Sequence, residues 1–388
     1  MNVGIVCYAS VGGSGIVATE LAKALADRGH QVRLISTEMP FRGPEYHVGL
    51  AFHAVQTPGY PLFREPQYLL SLANKIVQVS REHELDIIHA HYAIPHAAAA
   101  YLARQILANT PGVKVPCVIT TLHGTDVTLI GSDSSYSETA AFCIDQSDGV
   151  TAVSRSLRDD TYRQLSVRAD IQVIPNFLDC GIHRRSSDPA LRARFTGGDA
   201  EVRLVIHVSN FRPVKRTDAV VDIFARIHER VPSRLLLVGD GPDLDKAGRR
   251  ARELGVADAV EQLGEQEQVV PLLSLVDLFL LPSAQESFGL AALEAMACQV
   301  PVVASNVGGL PEVIDHGVTG YLHPFDAAEA MADSAVTLLT DSALHQRVSE
   351  AALAAVLQRF CANAIVPQYE AFYGQVIDRQ SSQPATRS

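Results

Sequence analysis

The 388-residue chain has no surplus of positive charge: 32 Lys and Arg stand against 43 Asp and Glu, a formal net charge of −11. That balance excludes a broadly nucleic-acid-binding surface and docking on an anionic membrane face, since both need basic surfaces, while leaving room for a local basic cleft. No apolar run is long enough to cross a bilayer, and the opening segment 3–7 lacks the basic flank and extended apolar stretch of a signal peptide. A cytoplasmic protein without stable membrane insertion is the expectation. The six cysteines, Cys7, Cys117, Cys143, Cys180, Cys298 and Cys361, form no C-x-x-C pair. That scatter predicts reduced, structural thiols in place of disulfides or zinc ligands. With 19% charged and 47% hydrophobic residues, the composition is that of a globular protein with ample core. No repeat shorter than a domain is present.

The length exceeds what one hydrophobic core usually supports, which predicts two domains with a binding cleft between them. Short apolar runs alternate with helical-period segments from the start: 3–7, a helix near 15–28, 31–36, a helix near 66–83, 86–89, 115–121, 149–153 and 171–174. Such runs are the mark of buried parallel strands flanked by helices. Residues 175–200, rich in Pro, Gly, Ser and charge, contain the interdomain connection. A second series follows at 203–208, 234–238, 259–263, 278–281 and 300–304, then helices over 327–376 and a polar tail from Arg379 expected to be disordered. The expected fold class is α/β: two Rossmann-like doubly wound parallel-sheet domains facing across a deep cleft, with ligands at the carboxyl ends of the strands.

The densest chemistry lies in Glu286-Ser287-Phe288-Gly289-Leu290-Ala291-Ala292-Leu293-Glu294, two carboxylates eight residues apart across a Gly-containing turn that opens a helix. Gly289 and Leu290 would present backbone N–H groups at a positive helix end, where phosphate binds. One acid could hold ribose hydroxyls and the other a sugar; the alternative is a solvated loop acid and an ordinary helical Glu. Ser209-Asn210-Phe211-Arg212-Pro213-Val214-Lys215-Arg216 brings three cations to the end of a strand. They suit a pyrophosphate, Arg through two N–H groups and Lys as a point charge, unless the loop is simply solvated. Val238-Gly239-Asp240-Gly241-Pro242 ends the next strand in a turn able to line a nucleotide pocket.

In the first half, Ser10-Val11-Gly12-Gly13-Ser14-Gly15 lets backbone approach a phosphate or sugar oxygen, or else serves tight strand-to-helix packing. The string also satisfies Gly13-x-Gly15-x-x-Ala18 with Glu38 beyond it, which keeps a nicotinamide oxidoreductase among the alternatives. His123-Gly124-Thr125-Asp126 follows an apolar strand and places an imidazole where substrate hydroxyls would lie, with Asp126 capping the next helix or orienting the His. His89, His91 and His96 invite a metal reading, but no Cys or carboxylate at ligand spacing joins them, and a hydrogen-bonded histidine cluster is the plainer account. Tyr92 could point its hydroxyl at a ligand.

Taken together, the Glu286/Glu294 motif, the Arg212/Lys215 loop, 238–242 and the Gly12-Gly13 loop resemble the retaining glycosyltransferases of the glycogen-synthase-like, two-Rossmann class, the GT-B architecture. The likeness spans nearly the whole chain. Within that class the strings Cys7-Tyr8-Ala9-Ser10-Val11-Gly12-Gly13-Ser14-Gly15, Met39-Pro40-Phe41-Arg42, His89-Ala90-His91-Tyr92-Ala93-Ile94-Pro95-His96, Thr121-Leu122-His123-Gly124-Thr125-Asp126 and His207-Val208-Ser209-Asn210-Phe211-Arg212 are similar to the branch that opens bacillithiol biosynthesis. The resemblance implies transfer of N-acetylglucosamine from UDP-GlcNAc to the hydroxyl of L-malate, with the α configuration retained and no metal or cofactor. It implies domains at 1–177, for the acceptor, and 178–365, for the nucleotide-sugar, with 366–388 forming a helix packed back toward the first domain and then the tail.

Carried over residue by residue, the resemblance makes His123, Glu286, Lys215 and Arg212 the catalytic set. Donor contacts fall to Gly13, Asn210, Arg212, Lys215, Gly239, Glu286, Phe288, Gly289, Leu290 and Glu294, with Glu294 on the ribose and Glu286 on the sugar. An Arg commonly stands where this chain has Asn210, so Arg212 is expected to take over its work. Ser14, Tyr92 and Thr121 match positions used near the acceptor, and the malate carboxylates need a cation, for which Arg42 is the first candidate and Arg155 the second. No residue stands out as a protein nucleophile, so front-face attack is implied, the departing diphosphate taking the acceptor proton. The alternatives are a UDP- or GDP-sugar transferase acting on inositol phosphate or a lipid, and a non-catalytic nucleotide-sugar sensor. Homo-oligomerisation is left open.

Overall fold

The computed structural model describes residues 1–9, 13–40, 43, 46–59, 67–128 and 133–382. Among the described residues thirteen strands carry it: β1 Asn2–Val6, β2 Gln31–Ser36, β3 Leu50–Ala54, β4 Ile87–His91, β5 Cys117–Leu122, β6 Gly149–Ala152, β7 Ile171–Val173, β8 Arg203–Val208, β9 Ser233–Val238, β10 Val260–Gly264, β11 Leu278–Leu281, β12 Val302–Ser305 and β13 Tyr321–His323. They form a seven-stranded sheet in the order β3-β2-β1-β4-β5-β6-β7 and a six-stranded sheet in the order β10-β9-β8-β11-β12-β13. Every ladder is parallel. Both orders reverse direction beside the first strand of their half, the doubly wound α/β topology expected of the chain.

The central strands β4, β5, β11 and β12 are buried at every residue, because helices cover both faces of a parallel sheet. The helix Tyr68–His83 meets its sheet through Leu72, Ala73, Ile76, Val77, Val79 and Ser80, a stripe at helical spacing. Local chemistry sets helix limits. Ser154 accepts the backbone N–H of Leu157 at 3.1 Å to start Arg155–Gln164, and Asp188, followed by Pro189, starts Pro189–Thr196, which ends on left-handed Gly197.

The chain divides into two compact units, one of Met1–Asn176 with Ala362–Ser388 and the other of Phe177–Cys361. The closing helix Ala362–Ser382 belongs to the first unit, where Tyr369, Phe372, Tyr373 and Val376 are buried. Gly149 makes room for it, since a Cβ there would lie 2.8 Å from both Phe372 and Val376. Tyr373 exchanges a 2.7 Å hydrogen bond with His89 Nδ1, and Glu370 accepts from Arg28 at 2.9 and 2.7 Å and pairs with His30 at 2.8 Å.

Two expectations are corrected. Residues 379–382, assigned to a disordered tail, continue the closing helix, and 383–388 lie outside the described residues. Cys180 and Cys361 are joined in a disulfide, with Cα atoms 5.6 Å apart and 181 residues between them in sequence. Here Leu178 donates its N–H to the Phe360 carbonyl at 2.9 Å, which brings the two cysteines within the span a disulfide bridges. Cys7, Cys117, Cys143 and Cys298 are free and buried. Protein purified without reductant, unfolded and alkylated is therefore expected to label at four cysteines, rising to six after reduction, as read by intact mass.

Candidate active site

In the second unit the site begins at the end of β8. His207 is buried, with Nδ1 2.8 Å from the Leu280 carbonyl and Nε2 2.8 Å from Ser209 Oγ. A carbonyl only accepts, so Nδ1 carries the proton, Nε2 accepts from the Ser209 hydroxyl, and Ser209 Oγ accepts the Phe211 N–H at 3.2 Å. Burial pushes the His207 imidazole down to about 4, so the ring is neutral. This chain of bonds holds the loop that follows. Phe211 is fully buried at a φ of 37°, and Asn210 and Arg212 beyond it are exposed.

Glycines let neighbouring backbone seat that loop. A Cβ on Gly239, whose φ is 119°, would fall 1.9 Å from the Ser209 carbonyl oxygen, and one on Gly241 would fall 2.1 Å from that of Asn210. Gly239 thus acts through its missing side chain. The loop then turns through Pro213–Lys215, and Lys215 Nζ donates to Glu286 Oε1 at 2.6 Å, where the Ser283 hydroxyl also donates at 3.0 Å. Glu286 is 9% exposed. The Ala284 N–H donates to the Val214 carbonyl at 2.8 Å, tying the segments after β8 and β11 together. Of the three cations expected on a diphosphate, Arg216 is corrected: its guanidinium donates to the Phe325 carbonyl and stacks on the Phe325 ring at 5.2 Å.

Gly289, left-handed at a φ of 97°, caps the helix Leu290–Ala297, and Glu294 is buried in that helix with Oε1 3.4 Å from His183 Nε2. The Phe288 ring is buried, 5.8 Å from the Phe360 ring. Two residues that the sequence reading missed support Glu286 from below. A Cβ on Gly308, at a φ of 55°, would fall 1.8 Å from the Glu286 carbonyl oxygen, and one on Gly309 would fall 2.4 Å from that of Ser287. Gly309 also donates its N–H to the Glu286 carbonyl at 2.9 Å. The paired glycines following β12 were the available signal.

In the first unit the ends of β4 and β5 carry a packed array of imidazoles. His91 Nδ1 lies 2.9 Å from His123 Nε2 with the rings stacked, and His89 Nε2 lies 2.6 Å from Thr121 Oγ1. Thr121 also bonds Thr151 at 2.6 Å. Its hydroxyl is committed to this buried network, so the structure places Thr121 behind the surface expected to meet an acceptor. Burial holds His89 and His123 down to about 3 and His96 to about 4, with His91 well below its ordinary value. Among the described residues no group of three His, Cys, Asp or Glu could hold a metal ion.

Asp126 sits inside the helix Thr125–Thr128 and holds the turn before it, accepting the N–H groups of Gly124 at 2.8 Å and His123 at 3.2 Å, while burial pushes its carboxyl up to about 6. Tyr92 stands at a φ of 92°, a conformation a side chain adopts only when its surroundings impose it. Its ring lies 5.3 Å from His123, and half-exposed Tyr8, absent from the sequence-derived set, lies 5.6 Å from Tyr92 and 4.4 Å from His96. Ser14 is buried in the first turn of the helix Gly13–Asp27, with Gly13 exposed beside it. Arg155 is exposed, and Ser10 to Gly12, Phe41 and Arg42 lie outside the described residues.

Residues 11–181 match Glycosyltransferase Family 4 and residues 193–354 match Glycosyl transferases group 1. The solved sucrose-phosphate synthase from Thermosynechococcus elongatus superposes with a TM-score of 0.79 at 22% identity, over 98% of this chain and 100% of that one. Anabaena Alr3699/HepE in complex with UDP and glucose gives 0.79 at 22%, over 97% and 100%. These likenesses show the GT-B fold, and the chain is a glycosyltransferase of these families. Among curated relatives it is 45% identical, over 97% of both chains, to the N-acetyl-alpha-D-glucosaminyl L-malate synthase of Bacillus anthracis. It is 32% identical, over 80% of both, to the D-inositol 3-phosphate glycosyltransferase of Actinosynnema mirum.

Two outcomes follow from this geometry. The buried histidines of the first unit have pKa values below the unfolded value of about 6.5, so between about 3 and 6.5 the unfolded chain binds more protons. Stability is full above that window and falls with pH inside it, opposed in part by Asp126, whose raised pKa acts with the other sign. The urea midpoint is expected to hold above about pH 7 and to drop between about pH 6.5 and 5, and a flat profile there contradicts the neutral array. Gly308→Ala is expected to displace Glu286 and lower kcat/KM by ~100-fold in a sugar-transfer assay, the scale of an ångström-level misplacement.

Proposed function

We propose that the chain transfers N-acetylglucosamine from UDP-GlcNAc to the hydroxyl of L-malate with retention of the α configuration, the opening step of bacillithiol biosynthesis. The observation that carries this reading is the 45% identity, over 97% of both chains, to a relative whose name specifies both the sugar and the acceptor. The site chemistry supports it. In the second unit Glu294 would accept the ribose hydroxyls, Gly289 and Leu290 would offer backbone donors, and exposed Arg212 with Lys215 would meet the diphosphate. Glu286, already held by Lys215 and Ser283, would bind the sugar. In the first unit Tyr92, Ser14 and Tyr8 would meet the acceptor, and His123, kept neutral, can hydrogen-bond a sugar hydroxyl without adding charge.

In this reading the malate hydroxyl oxygen forms the new bond to the anomeric carbon on the face the leaving group departs from. The bond from that carbon to the diphosphate oxygen breaks, and the hydroxyl proton passes to the diphosphate. Arg212 and Lys215 offset the negative charge that develops there, and no metal or cofactor takes part. The proposed location is the cytoplasm. No helix among the described residues is long and apolar enough to cross a membrane.

The decisive measurement is UDP release from UDP-GlcNAc against a panel of hydroxy acids and inositol phosphates. Release dependent on L-malate alone is expected; equal release with inositol phosphate, or none with malate, overturns the acceptor assignment. Glu286→Gln is expected to abolish transfer while calorimetry shows UDP bound within about threefold of wild type, since one neutral-for-charged hydrogen bond on the sugar side leaves the nucleotide contacts intact. Lys215→Ala with near wild-type turnover would remove the charge-stabilising role.

A further inference from the structure

We infer that Ser283 is a positioning residue for the sugar half of the donor, holding the Glu286 carboxylate in place while Lys215 is shared with the diphosphate. The inference rests on the reading of Glu286 as the sugar-binding carboxylate. Ser283 is fully buried just beyond β11, and its hydroxyl donates to Glu286 Oε1 at 3.0 Å. Lys215 Nζ donates to the same oxygen at 2.6 Å. An ammonium has no lone pair, so Lys215 is the donor in its bond, and the ion pair keeps Glu286 an acceptor for the hydroxyl. Both bonds fall on Oε1, which leaves Oε2 as the oxygen to accept from a sugar hydroxyl.

The two donors are not equivalent. The Lys215 ammonium ends a flexible four-carbon stem, is part-exposed, and carries three N–H groups, some of which the proposed reaction turns to the diphosphate. Ser283 has one hydrogen on a one-carbon arm enclosed by protein, so it stays on Glu286 whether or not a nucleotide is bound. The backbone around Glu286 is already set. Its carbonyl accepts the Gly309 N–H at 2.9 Å, and the Ala284 N–H donates to the Val214 carbonyl at 2.8 Å. What remains adjustable is the Glu286 side chain, with several rotatable bonds between that fixed backbone and the carboxylate. His207, close to this ion pair, does not hold it: its ring nitrogens are taken by the Leu280 carbonyl and the Ser209 hydroxyl, each at 2.8 Å. Without Ser283, Oε1 depends on a cation that the phosphates also attract, and the carboxylate is free to follow it away from the sugar.

The test compares UDP-GlcNAc with UDP, which lacks the sugar, by calorimetry on the full chain without acceptor. Ser283→Ala is expected to lower the ratio of UDP-GlcNAc to UDP affinity about tenfold, the scale of one hydrogen bond to a charged group, while UDP itself stays within about twofold of wild type. The kcat/KM for UDP-GlcNAc with L-malate is expected to fall at least as far. If the Ala variant does not fold, Ser283→Cys, similar in shape with a weaker donor, carries the test with an expected loss of about threefold in the ratio. An unchanged ratio, or equal weakening of UDP and UDP-GlcNAc, overturns the inference. A Glu286→Ala background removes the accepting oxygen, and Ser283→Ala added to it is expected to change the ratio by less than about twofold; a further tenfold fall there also overturns it. The two layers separate cleanly. If Glu286→Ala alone leaves the ratio at wild type, the sugar role of Glu286 fails; if it lowers the ratio and Ser283→Ala does not, the role of Ser283 alone fails.

Discussion

A carboxylate withdrawn from water must be matched by a cation or by donors, and the second unit is arranged around two such obligations. Glu286 discharges one through Lys215 and Ser283, and in doing so joins the segment after β8 to the segment after β11. Beyond the single helical turn Pro213–Lys215, neither segment has regular structure of its own to fix it. The ion pair, the Ala284–Val214 backbone bond and the glycine contacts beneath them supply that order. Glu294 is likewise buried, with His183 Nε2 3.4 Å away, inside a helix that gives it little freedom to move. Pre-arranged charge of this kind is what a transfer reaction with a departing diphosphate requires, since groups already in place need no reorganisation when charge develops.

The first unit solves a different problem. Four imidazoles in near contact would repel one another if protonated, and burial keeps them neutral. The result is a polar, uncharged and closely packed floor on which Tyr92 is forced into a left-handed backbone conformation. An anionic acceptor therefore has to find its counter-charge elsewhere than in this array. The histidines contribute shape and hydrogen bonds, and the strand ends that carry them are stiffened by Thr121, Thr151 and Tyr373.

Much of this was legible in the sequence because buried parallel strands write themselves as uninterrupted apolar runs. The strands 203–208 and 278–281 were recovered at their observed bounds. The strands β3 and β13 were not, being edge strands of mixed exposure without such a run. The Glu286–Glu294 motif and the Lys215 loop stood out because charge at a strand end is costly without a purpose. What stayed hidden was pairing across distance. Nothing in the spacing of Cys180 and Cys361 tells of a bond over 181 residues, and His183 lay in a stretch read as a connection. Arg212, Lys215 and Arg216 are alike in a sequence, and only the fold shows that the last turns to Phe325. Nor does a motif match say which way a side chain points, and the buried packing of Thr121 and Phe288 is seen only in the fold.

The closing helix has a consequence for how the protein comes into being. The second unit is one continuous stretch of chain, whereas the first is assembled from two pieces separated by the whole of the second. As the chain leaves the ribosome, Gly149 faces no Phe372, His89 lacks its Tyr373 hydroxyl and Arg28 its carboxylate until residues 370–373 have been made. The half made first is thus the half completed last. A stop codon that removes only the final helix, leaving every motif of the sequence in place, would strip the cover from the central strands of the first unit and leave the second unit whole.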